Sequence, residues 1–311
     1  MRNLGVAVID LKFETSGKLG KRGTASDYTI YNRKSEDSVL CFYEPSLYPD
    51  KLVSLLHCLN SSDIALLVFD GVSKEIGECI VALDSLGMNG IVVLRGGTRE
   101  ELMMIAKGTI VEKYEECENE PAALLQKLDS ITIQRDSAAP LRVPVDSAFV
   151  VKSVGLVVLG IVKGGTVKIH DELTALPSGK KSVVRSIQVQ DKDVQETNAG
   201  DRAGLCLKNV ELEDVERGVE LVRGDEFATA SELSCELEMT KFQRTPISGT
   251  EDVFVSYGMQ FASAKVSGDV KSGAKGQVKI SFIKPFSYKK GDSALLIGAN
   301  RGLRVIGRLS L

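Results

Sequence analysis

The sequence predicts a multi-domain α/β plus all-β chain, one α/β domain followed by two β-barrel domains. Three observations lead there. Short, wholly apolar runs at 39–43 (VLCFY), 64–69 (IALLVF) and 91–94 (IVVL) alternate with helical patterns in the first part of the chain, as strands buried on both faces of a parallel sheet do. From Leu141 onward, short β-branched runs are punctuated by Gly, Pro and Asp at close spacing, the pattern of barrels or sandwiches. A length of 311 residues exceeds one ordinary core and suffices for two or three.

In order, the chain opens on a buried strand at 4–9. Between the apolar runs lie helical patterns at 50–59, with Pro49 near its start, and at 73–86, stopped by Gly87. Two more are expected at 98–107 and at 121–129 after Pro121. The α/β domain is assigned to residues 1–135. The runs VPVDSAFVV, LVVLGIVK, GTVKIHDEL, KSVVRSIQV, RAGLCL and VERGVELV follow, and residues 136–222 form the first β domain. A break near Arg223-Gly224-Asp225 leads to the second, residues 223–311, which ends in two strand patterns around a Gly-Ala-Asn-Arg-Gly turn.

Composition narrows the class. Hydrophobic residues make up 43% and charged residues 26%, a globular and not a disordered balance. No apolar run approaches the ~20 residues of a membrane span, and no signal pattern opens the chain, so a cytoplasmic protein without a membrane partner is expected. The six cysteines stand singly, no C-x-x-C occurs, and His57 and His170 are far apart. Buried reduced thiols are expected, with no metal site and no disulfide.

Charge is segregated along the chain. Residues 1–135 carry 15 Lys/Arg against 20 Asp/Glu, while residues 265–308 carry 10 against 2. A basic end on an acidic protein signals a binding surface.

Several stretches resemble a known family. VDSAFVVKSVGLVVLG (145–160) is similar to the opening of the second domain of elongation factor Tu and its relatives. AGDRAGLCLKNV (199–210) and VERGVEL (215–221) are similar to that domain's closing strands. RSIQVQDKDVQETNAGDRAG (185–204) resembles the selenocysteine-specific, SelB-like factors, and the end of the chain, with Pro285 and Gly291, resembles their third domain. The resemblance implies a nucleotide-binding P-loop-type G domain followed by two barrels, and it covers nearly the whole chain.

The nucleotide motifs of that family are degenerate here. A phosphate loop needs Gly-x-x-x-x-Gly-Lys-Ser/Thr, so that backbone amides approach the phosphates, Lys neutralises them and the hydroxyl binds magnesium. The only Gly-Lys in place is Gly17-Lys18, which puts Lys12 at the first glycine and Leu19 at the hydroxyl. Counted from the end of the first strand, Asp10 replaces the first glycine, where a carboxylate would repel phosphate. The γ-phosphate motif Asp-x-x-Gly is replaced by Glu44-Pro45-Ser46-Leu47, and the guanine-reading Asn-Lys-x-Asp by Arg95-Gly96-Gly97-Thr98. GTP binding and hydrolysis are expected to be weak or lost, with no cofactor. The Arg95 loop, between strand and helix, retains scope for weak anion binding.

By resemblance, Asp146 and Phe149 fall on the floor of the pocket for the aminoacylated 3′ end of tRNA. Val157 falls beside the terminal adenine, and Gln188, Gln190 and Arg202 around the amino acid. Arg202 matches the SelB-like pattern, while Gln190 departs from it. In the third domain, Lys271, Lys275, Lys279, Lys284, Lys289, Lys290, Arg301, Arg304 and Arg308 supply phosphate-neutralising charge, and the family uses that domain on the tRNA T stem. With no Trp and 5% aromatics, single-strand stacking is a poorer fit.

Three functions compete. One is an elongation-factor-like protein binding tRNA or rRNA, with the ribosome as a further partner and no role for DNA. A second is an active SelB-like GTPase delivering a special aminoacyl-tRNA, with GTP and magnesium. A third is a protein-interaction module that keeps only the fold.

Overall fold

The computed structural model describes residues 2–311. The first part contains strands β1 (Arg2–Ile9), β2 (Lys21–Ala25), β3 (Thr29–Lys34), β4 (Ser38–Glu44), β5 (Ile64–Phe69), β6 (Gly90–Leu94) and β7 (Glu115–Glu116). They form one sheet in the order β2-β3-β4-β1-β5-β6-β7. From β4 to β7 all pairings are parallel. Every residue of β4 and β5 is buried, as expected for strands covered on both faces. The β2–β3 hairpin extends the β4 edge antiparallel. Neither that hairpin nor β7 is among the elements expected from the sequence.

Helices α1 (Ser16–Leu19), α2 (Leu52–Ser61), α3 (Lys74–Leu86), α4 (Arg99–Ala106) and α5 (Pro121–Ser130) cover the sheet. Their ends follow local chemistry. Ser73 accepts from the Ile76 amide at the start of α3, and Gly87 ends it at φ 63°. Thr98 and Glu101 form a capping box on α4, and Pro121 begins α5. Alternation along β1 splits the core: Leu4, Val6 and Val8 pack with Leu124 and Leu128 of α5, while Ala7 and Ile9 pack on the α2 and α3 side.

The second part contains β8 (Leu141–Val151), β9 (Gly155–Ile161), β10 (Thr166–Lys168), β11 (Glu172–Leu176), β12 (Lys180–Val189), β13 (Lys192–Val194), β14 (Glu196–Asn198), β15 (Arg202–Lys208) and β16 (Glu220–Arg223). Strands β11-β16-β8-β9-β15-β12 close into a barrel through the β11–β12 pairing, around Val143, Val158, Leu173, Ile187, Leu205 and Leu221. The third part contains β17 (Phe227–Met239), β18 (Ile247–Tyr257), β19 (Gln260–Val270), β20 (Lys275–Lys289), β21 (Ser293–Gly298) and β22 (Val305–Ser310), a second closed six-stranded barrel. The chain is thus an α/β domain followed by two barrels. Among the described residues no helix is long and apolar enough to cross a membrane.

The parts are tied together. Met259, Leu295, Ile297 and Val305 of the third part join the core beneath α2 and α3, and Arg304 reaches buried Glu78 of α3. Arg142 of β8 joins the barrels, pairing with buried Glu220 at 2.8 Å and with Asp292 at 3.3 Å, and stacking on Tyr257. Arg217 meets Asp27 of the hairpin turn at 2.7 Å, and Arg135 meets Asp63 at 2.8 Å.

Candidate functional site

The C-terminal ends of β1, β5 and β6 form the corner where an open α/β sheet binds ligands. Because β1 ends at Ile9, Asp10 stands first in the following loop, the position where the phosphate motif has its first glycine. Its buried carboxylate accepts from the amides of Lys12 (2.9 Å), Glu14 (3.0 Å) and Thr15 (3.0 Å), and from the Thr15 hydroxyl (2.7 Å). A phosphate loop turns such amides toward a bound anion; here the anion is the loop's own side chain.

Arg95, at the end of β6, closes the corner from the other side. Its Nη2 donates to Asp10 Oδ1 at 2.6 Å and its Nη1 to Asp10 Oδ2 at 3.1 Å. Its Nε donates to Asp70 Oδ1 at 2.8 Å, Nη2 also pairs with Asp70, and Nη1 reaches Glu14 at 3.1 Å. Lys12 completes the cluster with its Nζ 3.1 Å from Asp70. The three loops after β1, β5 and β6 are stitched by one guanidinium. Burial alone would lift the Asp10 carboxyl, but hydrogen bonds from Arg95, Thr15 and the Lys12 amide outweigh it and hold the group below the ordinary range. Asp70 is held low chiefly by its hydrogen bond from Arg95.

This donor set does not fit a nucleotide. The amides are taken by Asp10, and the cation that would neutralise phosphate is taken by two aspartates. Gly17 and Lys18 lie exposed on the single turn α1, outside the cluster. Glu44 is buried at the end of β4, accepting from the Tyr31 hydroxyl at 3.2 Å, and burial raises its carboxyl above the ordinary range. Thr98 is committed to capping α4. The anion-binding scope expected of the Arg95 loop is met internally.

A cleft of about 400 Å³ opens between the β2–β3 hairpin and the first barrel. Thr24, Ser26, Tyr28 and Ile30 form the hairpin wall, with Asp146, Arg202 and Arg217 opposite. Arg202 Nη2 donates to Asp146 Oδ2 at 2.8 Å and its Nε to the same oxygen at 3.2 Å. Arg217 pairs with Asp27, which also meets His57 Nδ1 at 2.9 Å.

Of the residues expected around a 3′-end pocket, only Asp146 and Arg202 line this cleft, and they are already paired. Phe149 and Val157 are cross-strand partners on β8 and β9, with Phe149 exposed. Gln188 donates to Asp193 across the β12–β13 hairpin at 2.9 Å. Gln190, at φ 52° in the turn, lines a separate gap against Asn3. Tyr28 and Arg217, which the sequence reading passed over, shape the cleft; the Thr29-Ile30-Tyr31 alternation after Ser26-Asp27 was the available signal for the hairpin that carries Tyr28.

On the second barrel the cations expected to neutralise phosphate divide into paired and unpaired groups. Lys275 pairs with Glu238 at 3.3 Å and Lys279 with Glu232 at 2.8 Å, across the β17–β20 ladder, and Lys289 lies 3.7 Å from Asp292. Arg301 is a half-buried clamp on Glu251 at 2.6 Å, also donating to the Pro246 carbonyl at 3.0 Å. Arg304 spans to Glu78 and to the Pro49 carbonyl at 3.0 Å. Lys271, Lys284, Lys290 and Arg308 remain exposed with no ion pair among the described residues.

An α/β domain with a phosphate-loop position, followed by two closed barrels, defines a translation-factor architecture. Residues 155–221 match the family model for elongation factor Tu domain 2. A Methanocaldococcus jannaschii protein described as uncharacterized protein MJ0325 is 35% identical over 292 residues, covering 93% of each chain. The selenocysteine-specific elongation factor of the same organism is 36% identical over 190 residues, 53% of this chain but 40% of that protein. The solved structure of translation elongation factor SelB from Methanococcus maripaludis, in complex with the GTP analogue GppNHp, shares the fold with a TM-score of 0.84 at 21% identity, covering 100% of this chain and 79% of that one. The chain belongs to one family with that Methanocaldococcus jannaschii protein, contains a domain of the elongation factor Tu domain 2 family, and has the fold of SelB elongation factors.

Proposed function

We propose that this chain is an elongation-factor-like protein that binds tRNA or another structured RNA, such as rRNA, without a GTP cycle. One observation carries the reading: the Asp10 carboxylate sits in the amide cradle of the phosphate-loop position and is clamped there by Arg95 at 2.6 Å. A phosphate entering that cradle must displace a buried carboxylate and a guanidinium shared by two aspartates, and breaking a buried pair in this way costs about 3–5 kcal/mol. The family resemblance and the cleft beside Arg202 and Tyr28 support RNA as the partner. The cleft has the size of small-ligand sites, roughly 300–1,000 Å³, which suits a terminal nucleotide.

The test is binding of aminoacylated and uncharged tRNA and of duplex RNA, titrated without nucleotide over a range of salt. Salt-sensitive binding that GTP and magnesium do not change is the expected result. Binding that appears only with GTP supports an active SelB-like GTPase instead. No RNA binding at low salt leaves a protein-interaction module.

A further inference from the structure

The α/β domain is acidic as a whole, yet its β2–β3 hairpin is not. Residues 16–34 carry Lys18, Lys21, Arg22, Arg33 and Lys34 against the single acid Asp27. That acid is consumed: Arg217 lies 2.7 Å from one of its oxygens and His57 2.9 Å from the other. All five cations are exposed, and none takes part in an ion pair among the described residues. This contrasts with the second barrel, where Lys275 and Lys279 face carboxylates.

The fold gathers the five. Lys21 pairs in register with Asn32 and Arg22 with Tyr31, so Arg33 and Lys34 lie just past the hairpin root, beside the turn α1 that carries Lys18. Strand alternation puts Arg22 and Arg33 on one face of the hairpin root and Lys21 and Lys34 on the other, so cations flank this edge of the sheet on both sides. All five residues of β2 are exposed, and β2 is the outermost strand of the sheet, so nothing in the fold covers it. The acids Glu36 and Asp37 lie beyond Lys34 in the next turn and pair with none of these cations.

We propose that the β2–β3 hairpin is an RNA-backbone contact that leads a bound strand into the cleft. Its distal end supplies the cleft wall, Thr24, Ser26 and Tyr28, so the charged root and the cleft lie along one element. Charge complementarity selects the partner. Concentrated, unneutralised Lys and Arg bind phosphates with release of counterions. Gly23, Thr24 and Ala25 at the tip offer no apolar wedge for a lipid surface. This inference rests on the proposed RNA function and relocates its main electrostatic contact from the second barrel to the first domain.

The test compares two variants with wild type in tRNA binding across a salt series. One is Lys21→Ala/Arg22→Ala/Arg33→Ala/Lys34→Ala; the other is Lys284→Ala/Lys290→Ala on the second barrel. The hairpin variant is expected to weaken binding and to flatten the log–log salt slope by about 0.7–0.9 for each contacted phosphate lost. The barrel variant is expected to change little. If the hairpin variant keeps wild-type affinity and slope, the inference is overturned while the RNA reading stands. If wild type binds no RNA, both fail together. Melting curves check the fold of the hairpin variant. Should it melt early, the single exchange Arg22→Glu serves instead, with wild-type binding again the overturning result.

Discussion

Asp10 and Arg95 stand 85 residues apart in sequence, yet the Arg95 guanidinium donates to both carboxylate oxygens of Asp10, at 2.6 and 3.1 Å. The pair joins the end of β1 to the end of β6 across the ligand-binding corner of the sheet. Removing one partner leaves the other buried and uncompensated. Arg95→Ala is therefore expected to destabilise the chain by about 3–5 kcal/mol. The double change Asp10→Ala/Arg95→Ala should cost less than the two single losses added together. Chemical denaturation of the three variants measures this, and strict additivity would mean the pair is not coupled.

Acid should act through the same cluster. Asp10, Asp70 and Asp27 all have folded-state carboxyls below the ordinary aspartate value of 3.8. Burial opposes the lowering in Asp10 and Asp27 and is outweighed there by hydrogen bonds, from Arg95 to Asp10 and from His57 and Arg217 to Asp27. A depressed carboxyl contributes stability that is fully present above its unfolded value and lost as pH falls toward the folded one. Melting temperature is thus expected to hold steady down to about pH 5 and to fall below about pH 4. Asp10→Asn should start lower and show a shallower acid limb. An acid limb identical to wild type in that variant would exclude Asp10 as a contributor.

The parallel sheet itself was legible from the short apolar runs alternating with helical patterns. Leu67 lies in β5, paired with Ile9 on one side and Val92 on the other, and is fully buried. Leu67→Ala should cost about 2–5 kcal/mol through the cavity it leaves. An unchanged melting temperature would contradict its central place in the core.

Docking of the second barrel on the first domain depends on Arg304, whose guanidinium meets Glu78, a residue 3% exposed on α3. Arg304→Ala leaves that carboxylate without its cation. Limited proteolysis should then cut faster in the segment between the barrels, near Arg223, and Glu78→Gln combined with Arg304→Ala should restore part of the protection. Wild-type cleavage rates in Arg304→Ala would show that the apolar contact of Leu295, Ile297 and Val305 holds the domains alone.

What the sequence disclosed follows from how local each signal is. The runs 64–69 and 91–94 read as strands because both faces are buried, so no polar residue interrupts them. Ser73, Thr98 and Pro121 marked helix starts through contacts within one turn. The hairpin was hidden because β2 is exposed at all five positions and carries no apolar alternation. The basic count over 265–308 stops short of β17, whose Glu232 and Glu238 come to lie beside Lys279 and Lys275 only when the ladder forms. Likewise Asp10 was visible as a carboxylate in place of a glycine, but its partner Arg95 is brought to it only by the β1-β5-β6 order.

The central claim is that an internal carboxylate takes the place of nucleotide phosphate, and calorimetric titration of the purified chain with GTP and GDP in the presence of magnesium tests it most directly. The account predicts no binding in the micromolar range, and none after Asp10→Gly alone, because Arg95, Leu47 and Thr98 still stand where γ-phosphate and guanine contacts would be made. Sub-micromolar binding of either nucleotide by the unaltered chain would contradict it.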